Sequence, residues 1–571
     1  MDPPTISKGF APPGETLFVA LDFGTTFSGI FLSIAYAFST DTEKIYTITN
    51  WPGAEDRIVP KTPTVIEYEI DSKTSFKWGY EVAPLADRKI TNLKLLLDPD
   101  QPRPYFIPRD VEAELAKIPK APVDAISDYM GAIFKHALAE IKSTSLDPSF
   151  IDSFKKRFVL TVPAAAKRAG IFPVEMITEP EATALMTLLT VQNRGLKEND
   201  AIIICDAGGG TVDLVAYEIE SVSPLKLRAL SAPSGGLCGS VMVNKMFEQE
   251  VQKVVKDGPY TKLKKTRAYQ SALTEFDRHT KPGFRGPSDP DQFVSFPMAG
   301  LKNNRAAGLV SNSMTLPGAA MARIFDPIAS EVDKLVSDQI IRVKFEKIKA
   351  GKTEEIKAVF LVGGFGASAY LKTVIEKSNP GILVIQPKEA WSAIMKGAVV
   401  SAMCSAPVIT STRAPKHYGT DGLWAWDDAR DAGQEKHWDT WDEIWRCDVM
   451  TWSIHKDDEL IREKKRKMAF CATWPGGTFP KSSALSVSAT LWESSAKVAP
   501  IHPSEATVNC ELKTDLIGVP VKLFKKKYRA SDSAPYWQLS YNLQIENNQS
   551  GLMKFSLEVG GKEYGSVEAA Y

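Results

Sequence analysis

Cysteine is scarce and scattered: Cys205, Cys238, Cys404, Cys447, Cys471 and Cys510, with no Cys-x-x-Cys pair among them. That spacing offers neither a zinc site nor a disulfide framework. Net charge is missing too, since 69 basic residues face 69 acidic ones. A balanced chain has no overall field for nucleic acid or a membrane surface, and neither partner is expected. No apolar run approaches the length of a membrane span. The opening MDPPTISKGFAPPGE is polar and proline-rich and lacks the apolar core of a signal peptide. These absences predict a cytoplasmic protein with a disordered lead-in over residues 1–15.

What is present exceeds one core, because 571 residues require several compact units. The most informative stretch is Ala201–Glu218, AIIICDAGGGTVDLVAYE. It reads as a buried strand, a turn of one acid and three glycines, and a strand returning through Val212 to Tyr217. Three glycines in a row cost backbone entropy and bring no packing. Such a turn suits a phosphate approaching bare amides. Asp206, Thr211 and Asp213 add oxygens of the kind a hydrated Mg²⁺ accepts. A tight hairpin with a flexible tip would also explain the turn.

The pattern of strand, acid, glycine and hydroxyls occurs earlier, in Leu17–Phe23 followed by Gly24-Thr25-Thr26 and a strand from Ile30 to Phe38. Two such hairpins suggest a duplicated α/β framework with a cleft between its halves. Lys94 is a lone lysine in the apolar run NLKLLLD, Asn92–Asp98, where snorkelling at a surface is the ordinary reading. An apolar stripe at helical spacing predicts a helix over Val123–Ser143. Glu179-Pro180-Glu181 marks a strand-to-helix junction, with Glu179 expected at the strand end. The turn Gly235–Gly239 opens a helix over Val241–Val255, and either caps a sheet edge or admits a sugar-phosphate. Arg278 and Lys281 are expected on a solvated face. Gly363-Gly364-Phe365-Gly366 follows a strand and precedes a helix, a turn through which backbone can approach a ligand. Near residue 410 the texture changes. Tryptophan clusters in WAWDD and HWDTWDEIW, and alternating strands from Ala484 onward predict an antiparallel sheet.

Taken together, the three glycine turns and Thr178–Leu185, TEPEATAL, resemble the actin-like ATPase superfamily. Asp206–Asp213, DAGGGTVD, and Leu361–Gly366, LVGGFG, are similar to the phosphate and adenosine motifs of 70-kDa heat-shock (DnaK-like) chaperones. Asn50–Gly53, Lys94–Asp98, His417–Gly419 and the final GKEYGSV resemble one divergent branch, the heat-shock 70 kDa protein 12-like group. The resemblance spans about residues 17–405. It implies a two-lobed actin-like ATPase domain of duplicated ribonuclease H-like units over residues 16–408. A smaller β-rich domain without a helical lid would follow over 409–571.

By position, the resemblance implies ATP or ADP with Mg²⁺ in the cleft. Asp22 and Asp206 would organise the metal through water. Gly24, Thr25, Thr26, Gly208, Gly209 and Gly210 would hold phosphates, and Lys94 would lie beside the γ-phosphate. Glu179 and Thr211 would place the attacking water. Gly363 and Gly364 would floor the adenosine, with Lys281 at its flank, and Gly239 is a further cofactor-binding candidate. The implied activity is a slowly hydrolysing, chaperone-like ATPase whose C-terminal region binds polypeptide.

Some positions depart from the pattern. The first hairpin is about four residues longer near Ile30–Ile34, and the crossover between Pro163 and Glu175 is short for a parallel connection. Phe365 and Ala367 stand where the chaperones use serine and arginine. The chaperones' apolar interdomain linker is not recognisable near residue 410. These departures motivate a second expectation, a nucleotide-gated interaction module that does not hydrolyse. A small-metabolite kinase is a third, with no separate acid evident as its base.

Overall fold

The apolar runs beside the acid–glycine turns form strands, as their composition predicts, and sheets and helices bury them from both sides. The structure, a computed structural model, describes residues 16–35, 45–70, 72–84, 86, 88–91, 93–96, 116, 119–144, 155–160, 168–169, 171, 174–190, 195–353, 355–387, 393–403, 408–461, 464–547 and 553–569. The lead-in over 1–15 lies outside them. The chain divides into two compact units, Met1–Ile409 and Thr410–Tyr571.

The first unit starts with β1 (Thr16–Phe23) and β2 (Phe27–Ala35), paired antiparallel from Thr16↔Ala35 to Phe23↔Ser28. β3 (Ile45–Thr47) and β4 (Thr62–Pro63) both pair with β2. Helix α1 (Pro122–Thr144) covers the expected helical stripe. β5 (Lys155–Leu160) runs parallel to β1, and β6 (Val174–Met176) parallel to β5. Most of the short crossover between β5 and β6 lies outside the described residues. The sheet order is β3-β2-β1-β5-β6, with β4 beside β2.

Helix α2 (Glu179–Thr190) follows. The second sheet then repeats the plan. β7 (Ala201–Ala207) and β8 (Val212–Val222) pair antiparallel, with Asp206 opposite Asp213. β9 (Leu225–Ala229) and β10 (Ser234–Gly236) both flank β8. Helices α3 (Ser240–Val255) and α4 (Gly318–Lys349) lead to β11 (Ile356–Val362), which is parallel to β7. Helix α5 (Ala369–Ser378), β12 (Leu383–Ile385) and helix α6 (Ala393–Met403) complete the set. In each sheet, an acid-tipped strand thus has an antiparallel partner on one side and a parallel one on the other.

Alternation along each strand divides its residues between two layers. Leu17, Val19 and Leu21 pack on Ile126, Met130 and Ile133 of α1. Phe18 and Ala20 face the other way, onto Leu185, Met395 and Val399. Likewise Ile203 and Cys205 meet α3 and α4, while Ile202 and Ile204 meet Ala184 and Leu188. Burial on both faces explains why these strands read as unbroken apolar runs. Each fully buried Leu or Ile contributes about 1.5–3 kcal/mol of transfer free energy. Helices α2 and α6 approach closely. A methyl group on Gly397 would lie 1.7 Å from the Ala182 carbonyl oxygen. That contact anchors the helix whose first residue is Glu179.

The second unit is antiparallel throughout its two main sheets. β13 (His417–Ala425), β14 (His437–Asp439), β15 (Ile444–Ile454), β16 (Lys465–Pro475), β17 (Ser486–Ser494) and β18 (Thr507–Asp515) come first. β19 (Phe524–Tyr528), β20 (Pro535–Asn547), β21 (Met553–Val559) and β22 (Lys562–Ala569) follow. One sheet has the order β14-β15-β13-β17-β18. The other runs β16-β20-β21-β22, with β19 on β20. Leu491 and Leu512 of the first share a core with Leu539, Leu543, Phe555 and Leu557 of the second. The sheet therefore begins well before Ala484, and the tryptophan-rich segment is itself part of it. Among the described residues, no helix is long and apolar enough to cross a membrane.

Candidate functional site

The two acid-tipped hairpins of the first unit meet at their turns. A methyl on Gly209 would sit 2.2 Å from the Thr26 hydroxyl, and one on Gly210 would sit 2.9 Å from Thr25 Cγ2. Only bare backbone allows this approach. Thr64 steadies the first turn, its amide donating to the Thr26 carbonyl at 2.9 Å and its hydroxyl to the Gly24 carbonyl at 2.8 Å. The second turn closes through Gly208 N–H to the Thr211 carbonyl at 2.9 Å. Its carbonyls then accept from the start of α3. Gly239, Ser240 and Val241 amides donate to Gly210, Gly208 and Gly209 at 3.1, 3.1 and 2.9 Å.

A cavity of about 320 Å³ opens at this junction. Asp22, Gly24, Thr25, Thr26, Lys94, Glu179, Asp206, Gly208, Gly209, Lys281, Gly363 and Gly364 line it. Gly210, Thr211 and Gly239 do not. Gly210 packs against Thr25, and Gly239 is a glycine because a Cβ there would lie 2.4 Å from the Gly209 carbonyl oxygen. Its place is behind the triple-glycine turn. Thr211 likewise serves the turn, through its carbonyl and a hydroxyl hydrogen bond to Asp213.

Glu179 is the first residue of α2, not the end of a strand, and it pairs with Lys94. Lys94 sits on a single 3₁₀ turn, Leu93–Leu96. Burial disfavours its ammonium, but the Glu179 carboxylate, with Asp213 and Asp22 farther off, holds its pKa above the ordinary lysine value. The expectation of a solvated Lys281 is overturned. Its side chain is 12% exposed, ion-paired with Asp277, and donates to Asn244 Oδ1 at 3.0 Å. A π-helical turn, Phe276–Thr280, precedes it and shifts the helical phase that a regular helix would give. Arg278, by contrast, is exposed.

At the floor, Gly363 takes φ +81°, and a Cβ there would lie 2.3 Å from Asp206 Oδ1. Both facts require glycine. Ser368 caps α5 by accepting from the Leu371 amide at 3.3 Å. Gln386 Nε2 donates to the carbonyls of Gly366 and Ser368 at 2.6 and 2.9 Å, which fixes the loop. Phe27, Pro282, Phe325, Phe365 and Ile394 supply the apolar lining.

The sequence reading missed Lys61, Ser240 and Asp277 as lining residues. Lys61 Nζ lies 2.8 Å from Asp22 Oδ2, and both side chains are buried. Of the four lining carboxylates, Asp22, Glu179 and Asp277 each carry a lysine. Asp206 has no ion pair among the described residues. Burial first, then the charges of Glu179, Asp213 and Asp22, push it up to about 8, with Lys61 opposing. Asp213, just behind, is raised to about 6 by burial and Glu179, against Lys94 and the Thr211 hydrogen bond.

No protein-family model matches the chain. The curated relatives that it matches are nevertheless heat-shock 70-like proteins, a likeness with which its mixed α/β fold agrees. Within that class the chain is similar to heat shock 70 kDa protein 12B of Homo sapiens, 24% identical over 515 residues, covering 71% of each chain. It is similar also to heat shock 70 kDa protein 12A of Homo sapiens and of Mus musculus. Each is 23% identical over 501 residues, covering 71% of this chain and 72% of the relative. The resemblance to the protein 12-like branch is thereby borne out.

Proposed function

We propose that the first unit is a two-lobed, actin-like ATPase domain that binds ATP in this cavity and hydrolyses it slowly, in the service of a chaperone-like protein whose second unit binds polypeptide. One observation carries the reading. Both hairpin turns, the Lys94–Glu179 pair and the glycine floor converge on a single cavity large enough for a nucleotide.

Mg²⁺ fits the donor set. The lining offers hard carboxylate oxygens and one carboxyl group more than it has lysines, Asp206, with Asp213 behind it. Asp206 would hold a divalent cation there, which would offset that surplus and supply charge neutralisation to the phosphates. The chain's own groups do the rest. The amides and hydroxyls of Gly24–Thr26, with Gly208 and Gly209, position the phosphates. Lys94 stabilises charge developing at the transferred group. Glu179, oriented by Lys94, holds the attacking water and accepts from it. Phosphoryl transfer to water needs positioning and charge more than a covalent nucleophile.

A second reading, nucleotide-gated interaction without hydrolysis, is favoured by Phe365 and Ala367 in the lining. Phosphate release from Mg-ATP separates the two. Turnover above an Asp206→Ala control supports the ATPase, and its absence in protein that still binds ATP leaves the gated module. Binding itself is read by thermal shift, where ligand at a hundred times its Kd stabilises by about 2.7 kcal/mol.

A further inference from the structure

The expectation drawn from the resemblance assigns Asp22 and Asp206 jointly to one metal. The described side chains divide that work. Asp22 Oδ2 already holds the Lys61 ammonium at 2.8 Å, and the pair is buried, with side chains 4% and 8% exposed. A buried carboxylate in a charge-assisted hydrogen bond of that length has satisfied most of its demand for a cation. Lys61 also lines the cavity together with Thr25, Thr26, Gly208 and Gly209, the turns that would receive phosphates in the proposed site. Asp206 alone among the lining carboxylates lacks a lysine partner among the described residues.

We infer that Lys61 is a resident cation of the nucleotide site. It serves the Asp22 side and the phosphates, so that nucleotide binding persists without a divalent metal, which is required only at Asp206. This rests on the cavity being a nucleotide site, as proposed above. A lysine is a compact point charge suited to phosphate oxygens, and it stays in place when the metal leaves.

The test uses the full chain and compares the Kd for ATP in Mg²⁺ with that in EDTA. For the wild type, the two values are expected to agree within about tenfold, the size of one charge-assisted hydrogen bond. Lys61→Met is expected to weaken metal-free binding by about tenfold or more. Added Mg²⁺ should recover most of that loss, and Lys61→Arg should keep the metal-free affinity. A merely structural lysine would not change the ratio of the two constants. Because Lys61→Met leaves Asp22 buried without its cation, the double variant Asp22→Asn/Lys61→Met serves where the single one does not fold. It too should lose metal-free binding.

Loss of wild-type binding in EDTA, by a hundredfold or more, would overturn the inference and leave the proposed function standing. Metal-free binding that survives in Lys61→Met, or in the double variant, would overturn it as well. Absence of ATP binding in any condition would sink both.

Discussion

Two carboxylates at the first unit's cavity behave oppositely to those of the second unit. In the first, Asp206 in the cavity wall and Asp213 just behind it are crowded by other acids and pushed up to about 8 and about 6. In the second, Asp431 is buried beneath Arg430, which grips it at 2.7 Å through both Nε and Nη2. The Arg430 hydrogen bond, opposed by desolvation and helped by the Asp427 amide, brings Asp431 down to about 2. Glu558 is lowered in the same way by Lys467, and Asp439, against its desolvation, by the Trp441 amide and Arg446. The second unit thus spends its acids on holding loops and strands together. The first leaves one, Asp206, crowded by other acids and without a lysine partner among the described residues, and the proposed nucleotide site rests on that surplus.

The sharpest way to break this contrast is to neutralise one acid in each unit. Asp206→Asn should lower ATP turnover about 10²–10³-fold, the usual cost of a lost charge contact in such a site. The same change should leave the ligand-free thermal midpoint unaltered or raised, because the fold gains nothing from that charge. A midpoint that drops sharply would remove Asp206 from the functional class. Asp431→Asn should do the reverse. It strips Arg430 of its partner and should cost about 2 kcal/mol in denaturant unfolding, with no change in the thermal shift produced by ATP.

Titration sharpens the comparison further, since the two acids have opposite linkage signs. The folded pKa of Asp206 lies above the ordinary 3.8, so its penalty is absent below 3.8 and grows as pH rises to about 8. Without divalent metal, the stability advantage of Asp206→Asn over wild type should therefore widen from pH 4 to pH 8. The folded pKa of Asp431 lies below 3.8, so its contribution is complete above that value and is lost as pH falls through about 2. The deficit of Asp431→Asn should narrow between pH 4 and pH 2. Parallel pH profiles for the two variants would erase the distinction.

The smallest effect is a control. Thr266 caps the helix Arg267–Glu275 by accepting from the Tyr269 amide, and it does not line the cavity. Thr266→Ala should cost about 1 kcal/mol and leave the ATP-induced shift intact.

The strands, the helix over Val123–Ser143 and the glycine turns were legible because burial on both faces and bare backbone leave direct marks on composition. Asp22, Lys94, Glu179 and Asp206 were legible through a resemblance, and the structure brings them to one cavity. Lys61 was not. It stands between prolines with no period to place it, and its partner is 39 residues away across a sheet. Sequence spacing carries no trace of such a pair. Lys281 was misread for a different reason. Its stretch is basic, which reads as a solvated face, but Asp277 and Asn244 hold the ammonium inward, partners that composition does not mark. Gly239 illustrates the converse. A glycine beside a ligand and a glycine beside another glycine turn look alike in sequence, and only the contact with Gly209 separates them.

The meeting of Thr25 and Thr26 with Gly209 and Gly210 has a mechanical consequence. Where hydroxyl and methyl groups rest directly on backbone, no side chain remains that can rearrange to absorb a displacement. Such a contact acts as a fulcrum. Any rotation of one sheet against the other would turn about it, and displacement would grow with distance from it along each lever arm.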